Sequence, residues 1–177
     1  AVVAVLYVIY VYNTLVKLRQ RKDQSFADID TQLTYRRDLV PNLVESVKGY
    51  AAHERETLDA VVTARARSAN ASTVAEKGAA EGMLGAALGR LFALSEAYPD
   101  LKANQNFLQL QKDLKDTEDK LAAARRFFNN SVQELNAAIQ SFPAVLFART
   151  LGFKEADFFN VGEEGRKSMD APPSVKF

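Results

Sequence analysis

The chain has 177 residues, of which 47% are hydrophobic and 25% charged, and its eight glycines and five prolines are too few for the turns of a strand-rich fold. It contains no cysteine, which excludes disulfide bonds, thiolate zinc sites and iron–sulfur clusters. The 23 basic and 22 acidic residues leave a net charge of +1, so we expect no nucleic-acid partner.

The first 16 residues, AVVAVLYVIYVYNTLV, form the most apolar part of the chain and contain no charge. A membrane-spanning helix needs about 20 apolar residues. We therefore predict that residues 1–16 belong to a transmembrane helix that begins before Ala1. A signal peptide is the alternative, but no basic leading region and no small-residue cleavage site precede the first charges.

A basic juxtamembrane segment follows at residues 17–25. Its cations could fix the orientation of the span, because positively charged flanks usually stay in the cytoplasm. They could also bind anionic lipid headgroups. The basic residues are Lys17, Arg19, Arg21 and Lys22.

A sevenfold apolar spacing marks the next segment, with Phe26, Leu33, Val40 and Val47 in register and Val61 two repeats later. This pattern predicts one amphipathic helix across residues 23–67. Pro41 lies inside it and removes one backbone hydrogen bond, yet the apolar register continues unchanged. We predict a kink at this proline, without a break.

A second helix is predicted from Val74 to a point before Pro99. Thr73 and Glu76 have the spacing of a capping box, which starts helices. The residue before a proline is disfavoured in helical geometry, so the helix must end there. Four glycines predict close packing against a neighbour: Gly78, Gly82, Gly85 and Gly89.

A third helix is predicted from Leu101 to about Ser141, because six apolar residues follow each other at intervals of seven: Phe107, Leu114, Leu121, Phe128, Leu135 and Phe142. We expect an all-α fold, with an antiparallel bundle of three long helices plus short C-terminal helices at residues 26–161. The N-terminal transmembrane helix precedes the bundle, and a mobile tail follows at residues 162–177.

Three blocks of sequence resemble the LemA family: DLVPNLVESVKGYAAHERETL at 38–58, ALGRLFALSEAYPDLKANQNFLQLQ at 87–111, and AARRFFNNSVQELNAAIQSFP at 123–143. The resemblance extends over residues 13–159. It implies one transmembrane helix, a cytoplasmic helical bundle and no established catalytic activity. We therefore expect a single-pass bacterial membrane protein, or one in an intracellular organelle membrane, because some members of the family act in magnetosome-forming bacteria.

Candidate chemistry is sparse. His53 is the single histidine of the chain, which argues against a metal centre, and we expect no cofactor. Three charged residues fall on the apolar seams of the predicted helices: Arg36, Glu118 and Arg125. A buried charge must be paired, so we predict that Glu118 meets Arg36, Arg125 or both. Glu118 could instead serve acid–base chemistry, although no second titratable partner is evident.

Five phenylalanines fall within 18 residues near the C terminus: Phe142, Phe147, Phe153, Phe158 and Phe159. They could form a hydrophobic plug over one end of the bundle. Alternatively, an exposed surface for a partner or a second copy would include Phe147, Phe153, Phe158 and Phe159.

The sequence favours a non-enzymatic, membrane-anchored scaffold that self-associates and organises a membrane or assembles a membrane complex. Its expected partners are the membrane, a second copy of the chain and another membrane or cytoplasmic protein. The alternatives are a membrane-bound enzyme or enzyme accessory that uses Glu118, and a bundle that binds a lipid or small ligand.

Overall fold

Helices dominate the computed structural model, which describes residues 2–162 and contains no strand in that range. The all-α class is therefore confirmed. Of the predicted mobile tail at 162–177, all but Gly162 lies outside the described residues. The helices are α1 (Val2–Lys48), α2 (Arg55–Asn70), α3 (Val74–Ser95), α4 (Pro99–Lys102) and α5 (Gln105–Gln140), followed by a 3₁₀ turn at Ala144–Leu146.

The chain forms two compact units. The first unit comprises Ala1–Thr31 and Leu121–Phe158, and the second comprises Gln32–Lys120 and Phe159–Phe177. The helices α1 and α5 each contribute residues to both units.

In the second unit, α1 and α2 run antiparallel. Arg65 of α2 donates from Nε to the carbonyl oxygen of Arg37 on α1 at 3.0 Å, and Arg37 donates to the carbonyl oxygen of Ser68 at the same distance. Together with α3 and the start of α5, these helices enclose one apolar core. Its most deeply buried members are Val40, Leu43, Val47, Val61, Leu84, Leu91, Leu101 and Phe107.

The single helix predicted across residues 23–67 is wrong, because α1 ends at Lys48 and α2 begins at Arg55. After Gly49, the amides of Tyr50 and Ala51 both donate to the carbonyl oxygen of Val47, at 3.0 and 2.8 Å. The apolar spacing survives the reversal because both helices bury residues in the same core. Pro41 lies within α1 without breaking it, as predicted.

The capping box at the start of α3 is confirmed. Thr73 Oγ1 accepts from the amide of Glu76 at 3.2 Å, and Glu76 accepts from the amide of Thr73 at 3.0 Å. Farther along α3, Gly78 packs so closely against the backbone of Asn160 that a Cβ atom would lie 2.1 Å from its carbonyl oxygen. This contact confirms close packing at one glycine of this helix.

In the first unit, the N-terminal part of α1 runs antiparallel to the C-terminal part of α5. The rings of Phe26 and Phe128 are 5.5 Å apart, and Arg21 pairs with Glu134 at 2.8 Å. The core of this unit contains Val11, Leu15, Leu135, Ile139, Ala144, Ala148 and Phe153.

Phe142 does not extend the sevenfold stripe of α5. The helix ends at Gln140, and the chain turns so that 80% of Phe142 is exposed. The five earlier members of the stripe are buried, as expected.

Candidate functional site

The N-terminal part of α1 exposes an unbroken apolar segment at residues 2–10. Val11 and Leu15 of the same helix are instead buried against α5 and the turn that follows it. Among the described helices, α1 is long and apolar enough to cross a membrane, and little of that stretch is covered by protein. These observations indicate membrane anchoring through α1.

The basic residues after this segment differ in their surroundings. Lys17 is exposed, and the guanidinium of Arg19 lies 5.1 Å from the ring centre of Phe153. The guanidinium of Arg21 lies 5.3 Å from the ring centre of Phe127, and Arg21 also pairs with Glu134. Lys22 pairs with Asp23 at 2.7 Å. Lys17 and Arg19 therefore have no acidic partner among residues 2–162, and their binding to anionic lipid stays a prediction.

The predicted phenylalanine surface is wrong for two of its members, because Phe153 and Phe159 are buried. Phe147 is half-buried against the core of the first unit, whereas Phe158 is exposed. Phe153 packs edge-on against Tyr12 with ring centres 5.6 Å apart. Phe147 and Phe153 therefore act as a plug for the core of the first unit.

A different apolar surface lies on the turn after α5. Its exposed side chains are Phe142, Val145, Leu146 and Leu151. The phenylalanine cluster noted in the sequence includes only Phe142 of these four residues. The available signal was that residues 141–148, SFPAVLFA, carry no charge although they follow a polar helix.

A buried ion pair is the main polar feature of the second unit. Arg36 of α1 donates to Glu81 of α3 at 2.9 Å, and their side chains are 6% and 1% exposed. Ser68 of α2 donates to the other carboxylate oxygen of Glu81 at 2.9 Å. Sequence analysis predicted a buried, paired Arg36 but missed Glu81, because the Ala/Gly-rich α3 has no sharp apolar stripe.

Glu118 contacts Arg36 at 4.0 Å, as predicted, but its side chain is 42% exposed. It is therefore a peripheral partner, and the expectation that it is buried between helices is wrong. Arg125 is buried in the first unit. Its pairing with Glu118 stays a prediction.

A cavity of about 320 Å³ lies beside Arg36. Gly85 and Gly89 leave room for it, and its polar lining includes Arg36, Lys115 and Glu118. His53 lies in the exposed loop before α2. No cluster of potential metal ligands occurs among residues 2–162.

A groove of about 390 Å³ runs between α2 and α3. Its floor is formed by small side chains, including Ala60, Ala64, Ala86 and Ala87. Arg67 and Arg90 line it together with Glu56 and Asp59, so both signs of charge flank the alanines. Alanine-lined grooves allow another helix to approach closely.

Proteins similar to this chain include two that are named for the magnetosome. "Magnetosome protein MamQ" of Magnetospirillum gryphiswaldense is 26% identical, with 91% of this chain and 69% of the relative aligned. "Magnetosome protein MamQ 2" of Paramagnetospirillum magneticum is 24% identical with the same coverage. "Protein LemA" of Metamycoplasma hominis is 26% identical over 95% of this chain and 78% of its own length.

None of these names designates an enzyme. The model of the LemA family matches residues 25–177, which are most of the chain. The three sequence blocks that suggested this resemblance all lie within the matched range. The chain therefore belongs to the LemA family.

Proposed function

We propose that this protein is a single-pass, membrane-anchored helical scaffold that brings copies of itself together at a membrane surface. The observation that carries the proposal is the continuity of α1, whose residues 2–10 are apolar and exposed while its later residues build the cores of both units. An anchor that is part of the folded domain holds that domain at the membrane.

Flotation of the full chain with phospholipid vesicles tests the anchor. Val5 and Ile9 are exposed, so Val5→Arg with Ile9→Arg should leave the fold intact and abolish flotation. Substitution is better than truncation at residue 23, which would remove Val11 and Leu15 from the core of the first unit. A wild-type chain that remains soluble and does not float would contradict the proposal.

The helical domain lies on the cytoplasmic side in this proposal. The basic residues from Lys17 to Lys22 immediately follow the apolar segment, and such residues are retained in the cytoplasm. The chain has no cysteine, so Asp28→Cys provides a single label site on the exposed face of α1. A membrane-impermeant maleimide should label this variant only after cell lysis, and labelling of intact spheroplasts would reverse the orientation.

Self-association is supported by the groove between α2 and α3. Glu56 and Asp59 lie near the start of α2, and Arg67 lies near its end. Arg90 of α3 also lines the groove, so the groove offers charges of both signs to a second copy related by a two-fold axis. The alanine floor would let the two copies approach closely.

Light scattering on the full chain in mild detergent tests this interface. Ala60→Arg places a bulky cation in the groove and should convert an oligomer to a monomer. Ala79→Arg is the matched control, because Ala79 is exposed on α3 and does not line the groove. Monomeric wild-type protein, or equal masses for both variants, would contradict self-association through this groove.

The scaffold is non-enzymatic in this proposal. Both carboxylate oxygens of the buried Glu81 accept hydrogen bonds, one from Arg36 and one from Ser68, which supports a structural role for this carboxylate. The similarity to proteins named for the magnetosome supports a role in membrane organisation.

A second candidate function is the binding of a small ligand or lipid in the cavity beside Arg36. Its volume of about 320 Å³ is at the lower end of the range for small-molecule pockets. Native mass spectrometry of delipidated protein mixed with a lipid extract tests this function. Adducts should form with the wild type and be lost with Gly89→Leu, which fills the cavity; no adduct on the wild type would exclude this candidate.

A further inference from the structure

We propose that the turn after α5, residues 141–152, inserts its exposed apolar side chains into the interfacial layer of the membrane beside α1. The proposal rests on the anchoring of the chain by α1. It adds a second membrane contact that is made by the folded first unit.

The composition of the turn fits a lipid interface better than water. Phe142 and Leu146 are 80% and 70% exposed, and Val145 and Leu151 are also exposed. The first charge after the end of α5 is that of Arg149. A soluble surface rarely groups large apolar side chains on a short uncharged segment unless they bind a partner or a membrane.

The turn lies level with the end of the exposed segment of α1. Its buried residues Ala144 and Ala148 share one core with Val11 and Leu15. The contacts Phe26–Phe128 and Arg21–Glu134 show that α1 and α5 run antiparallel. The N-terminal end of α1 and the C-terminal end of α5 therefore lie at the same end of the unit. Extending this register to the last residue of α5 places Gln140 beside about Leu15, so the turn begins between the apolar segment and the first basic residues.

The charged residues near the turn and near the end of the apolar segment of α1 suit a phospholipid surface. On α1, Lys17 and Arg19 come shortly after the exposed apolar segment. Arg149 lies in the turn itself, and Lys154 lies just after the turn. Glu155 lies 3.9 Å from Arg149, and Asp157 is exposed nearby in sequence, so the attraction to anionic lipid rests chiefly on Lys17 and Arg19. Cations beside apolar side chains match the boundary between headgroups and acyl chains.

A membrane is a better occupant than a second copy of the chain. A stable protein interface buries about 800 Å² on each partner. Four side chains on a short turn supply much less area. A membrane imposes no such requirement here, because the turn lies beside a helix that is already apolar.

Depth measurement by spin labelling tests the proposal on the full chain in nanodiscs of mixed phosphatidylcholine and phosphatidylglycerol. The labelled variants are Phe142→Cys and Leu146→Cys on the turn. Val5→Cys on the apolar segment is the lipid reference, and Asp28→Cys on the exposed face of α1 is the aqueous reference. The readout is the ratio of label collisions with dissolved oxygen to collisions with a water-soluble nickel complex.

Labels at positions 142 and 146 should give oxygen-to-nickel collision ratios well above the ratio at position 28. Their ratios should approach the ratio at position 5, which is the lipid reference. Ratios at 142 and 146 equal to that at 28, with a high ratio at 5, would overturn the inserted turn and leave the anchor intact. A low ratio at 5 as well would show that α1 itself does not enter the membrane. Immobilised labels that neither reagent reaches, in a particle with the mass of an oligomer, would assign the turn to a second copy and also overturn the proposal.

Discussion

Arg36 of α1 and Glu81 of α3 are 45 residues apart in sequence and form a 2.9 Å ion pair inside the second unit. Ser68 of α2 donates to the same carboxylate, so one small polar network connects three helices. A buried charge is tolerated only in a geometry that pairs it. The network therefore fixes the position of α3 along α1 and α2. The small alanine and glycine side chains of α3 would by themselves allow this helix to shift along its neighbours.

Glu81→Ala is expected to be strongly destabilising. It leaves the Arg36 guanidinium buried without its closest carboxylate, and breaking a buried pair in this way typically costs about 3–5 kcal/mol. Urea unfolding of the full chain in mild detergent, followed by circular dichroism, measures the loss of free energy of unfolding.

Two controls distinguish burial from charge alone. Glu118→Gln removes a half-exposed carboxylate 4.0 Å from Arg36 and should cost less than about 1 kcal/mol. Arg36→Met combined with Glu81→Leu removes both charges and should recover most of the stability lost in Glu81→Ala. Equal losses for Glu81→Ala and Glu118→Gln would contradict the assigned roles of the two carboxylates.

Two glycines of α3 should respond in opposite directions to the same substitution. A Cβ atom at Gly78 would lie 2.1 Å from the backbone oxygen of Asn160, so Gly78→Ala should destabilise the second unit by about 1–3 kcal/mol. Outside the adjacent residues and backbone of α3, no atom lies within 4 Å of the Cβ position of Gly89, so Gly89→Ala should stabilise the helix by up to about 1 kcal/mol.

Thermal unfolding of the two alanine variants beside the wild type provides the measurement. The pair is a matched control, because both changes add one methyl group to the same helix. A stabilised Gly78→Ala variant would mean that the chain at Asn160 does not pack against α3.

The start of α3 should weaken in acid because of Glu76. Hydrogen bonds from the amides of Ser72 and Thr73 and from the Ser72 hydroxyl lower the pKa of this carboxyl from 4.5 to about 2. A lowered pKa in the folded state stabilises the fold above pH 4.5, and this contribution is lost as the pH falls toward 2.

Hydrogen exchange of the amides at residues 74–77, followed between pH 5 and pH 2, measures this change. We expect faster opening in acid, after correction for the intrinsic exchange rate. Glu76→Gln is the control, since glutamine can close a capping box and does not titrate in this range. Equal acid sensitivity in both proteins would show that another group is responsible.

Asn136 is expected to hold the chain that follows the turn at residues 141–152. Its side-chain amide donates to the carbonyl oxygen of Ala156 at 2.9 Å and accepts from the amide of Ala156 at 2.8 Å. Asn136→Ala leaves both backbone groups without these partners in a half-buried site, at a cost of about 1–3 kcal/mol.

The local readout is the exchange rate of the Ala156 amide, which should rise in Asn136→Ala. Asn130→Ala on the exposed face of α5 is the control and should leave that rate unchanged. Equal rates in all three proteins would show that the pairing does not limit the opening of this segment.

The apolar repeats predicted most of the helices because each repeat records which face of a helix is buried. Phe107, Leu114, Leu121, Phe128 and Leu135 are buried at their predicted spacing, and α3 begins at Val74 beside its capping box. Both signals are local. Helix propensity, side-chain periodicity and capping hydrogen bonds act within a few turns and can be recognised without knowing the partners.

The same repeat could not reveal that the first predicted helix folds back at Gly49. Val47 and Val61 would keep their spacing in one straight helix or in two helices that share a core. Only the tertiary packing distinguishes these two arrangements, because it shows which surface covers each residue.

By itself, the sequence determined the all-α class, the apolar N-terminal segment and its basic flank, the start of α3, the end of α5 and the family. The tertiary structure decided that Glu81 is the closest partner of Arg36, that Phe153 is buried, and that Phe142 and Leu146 are exposed. The physical reason is the distance in sequence over which each kind of interaction acts. Local patterns encode which residues can be buried, whereas the pairing of distant charges and the exposure of an apolar turn depend on which helices meet in space.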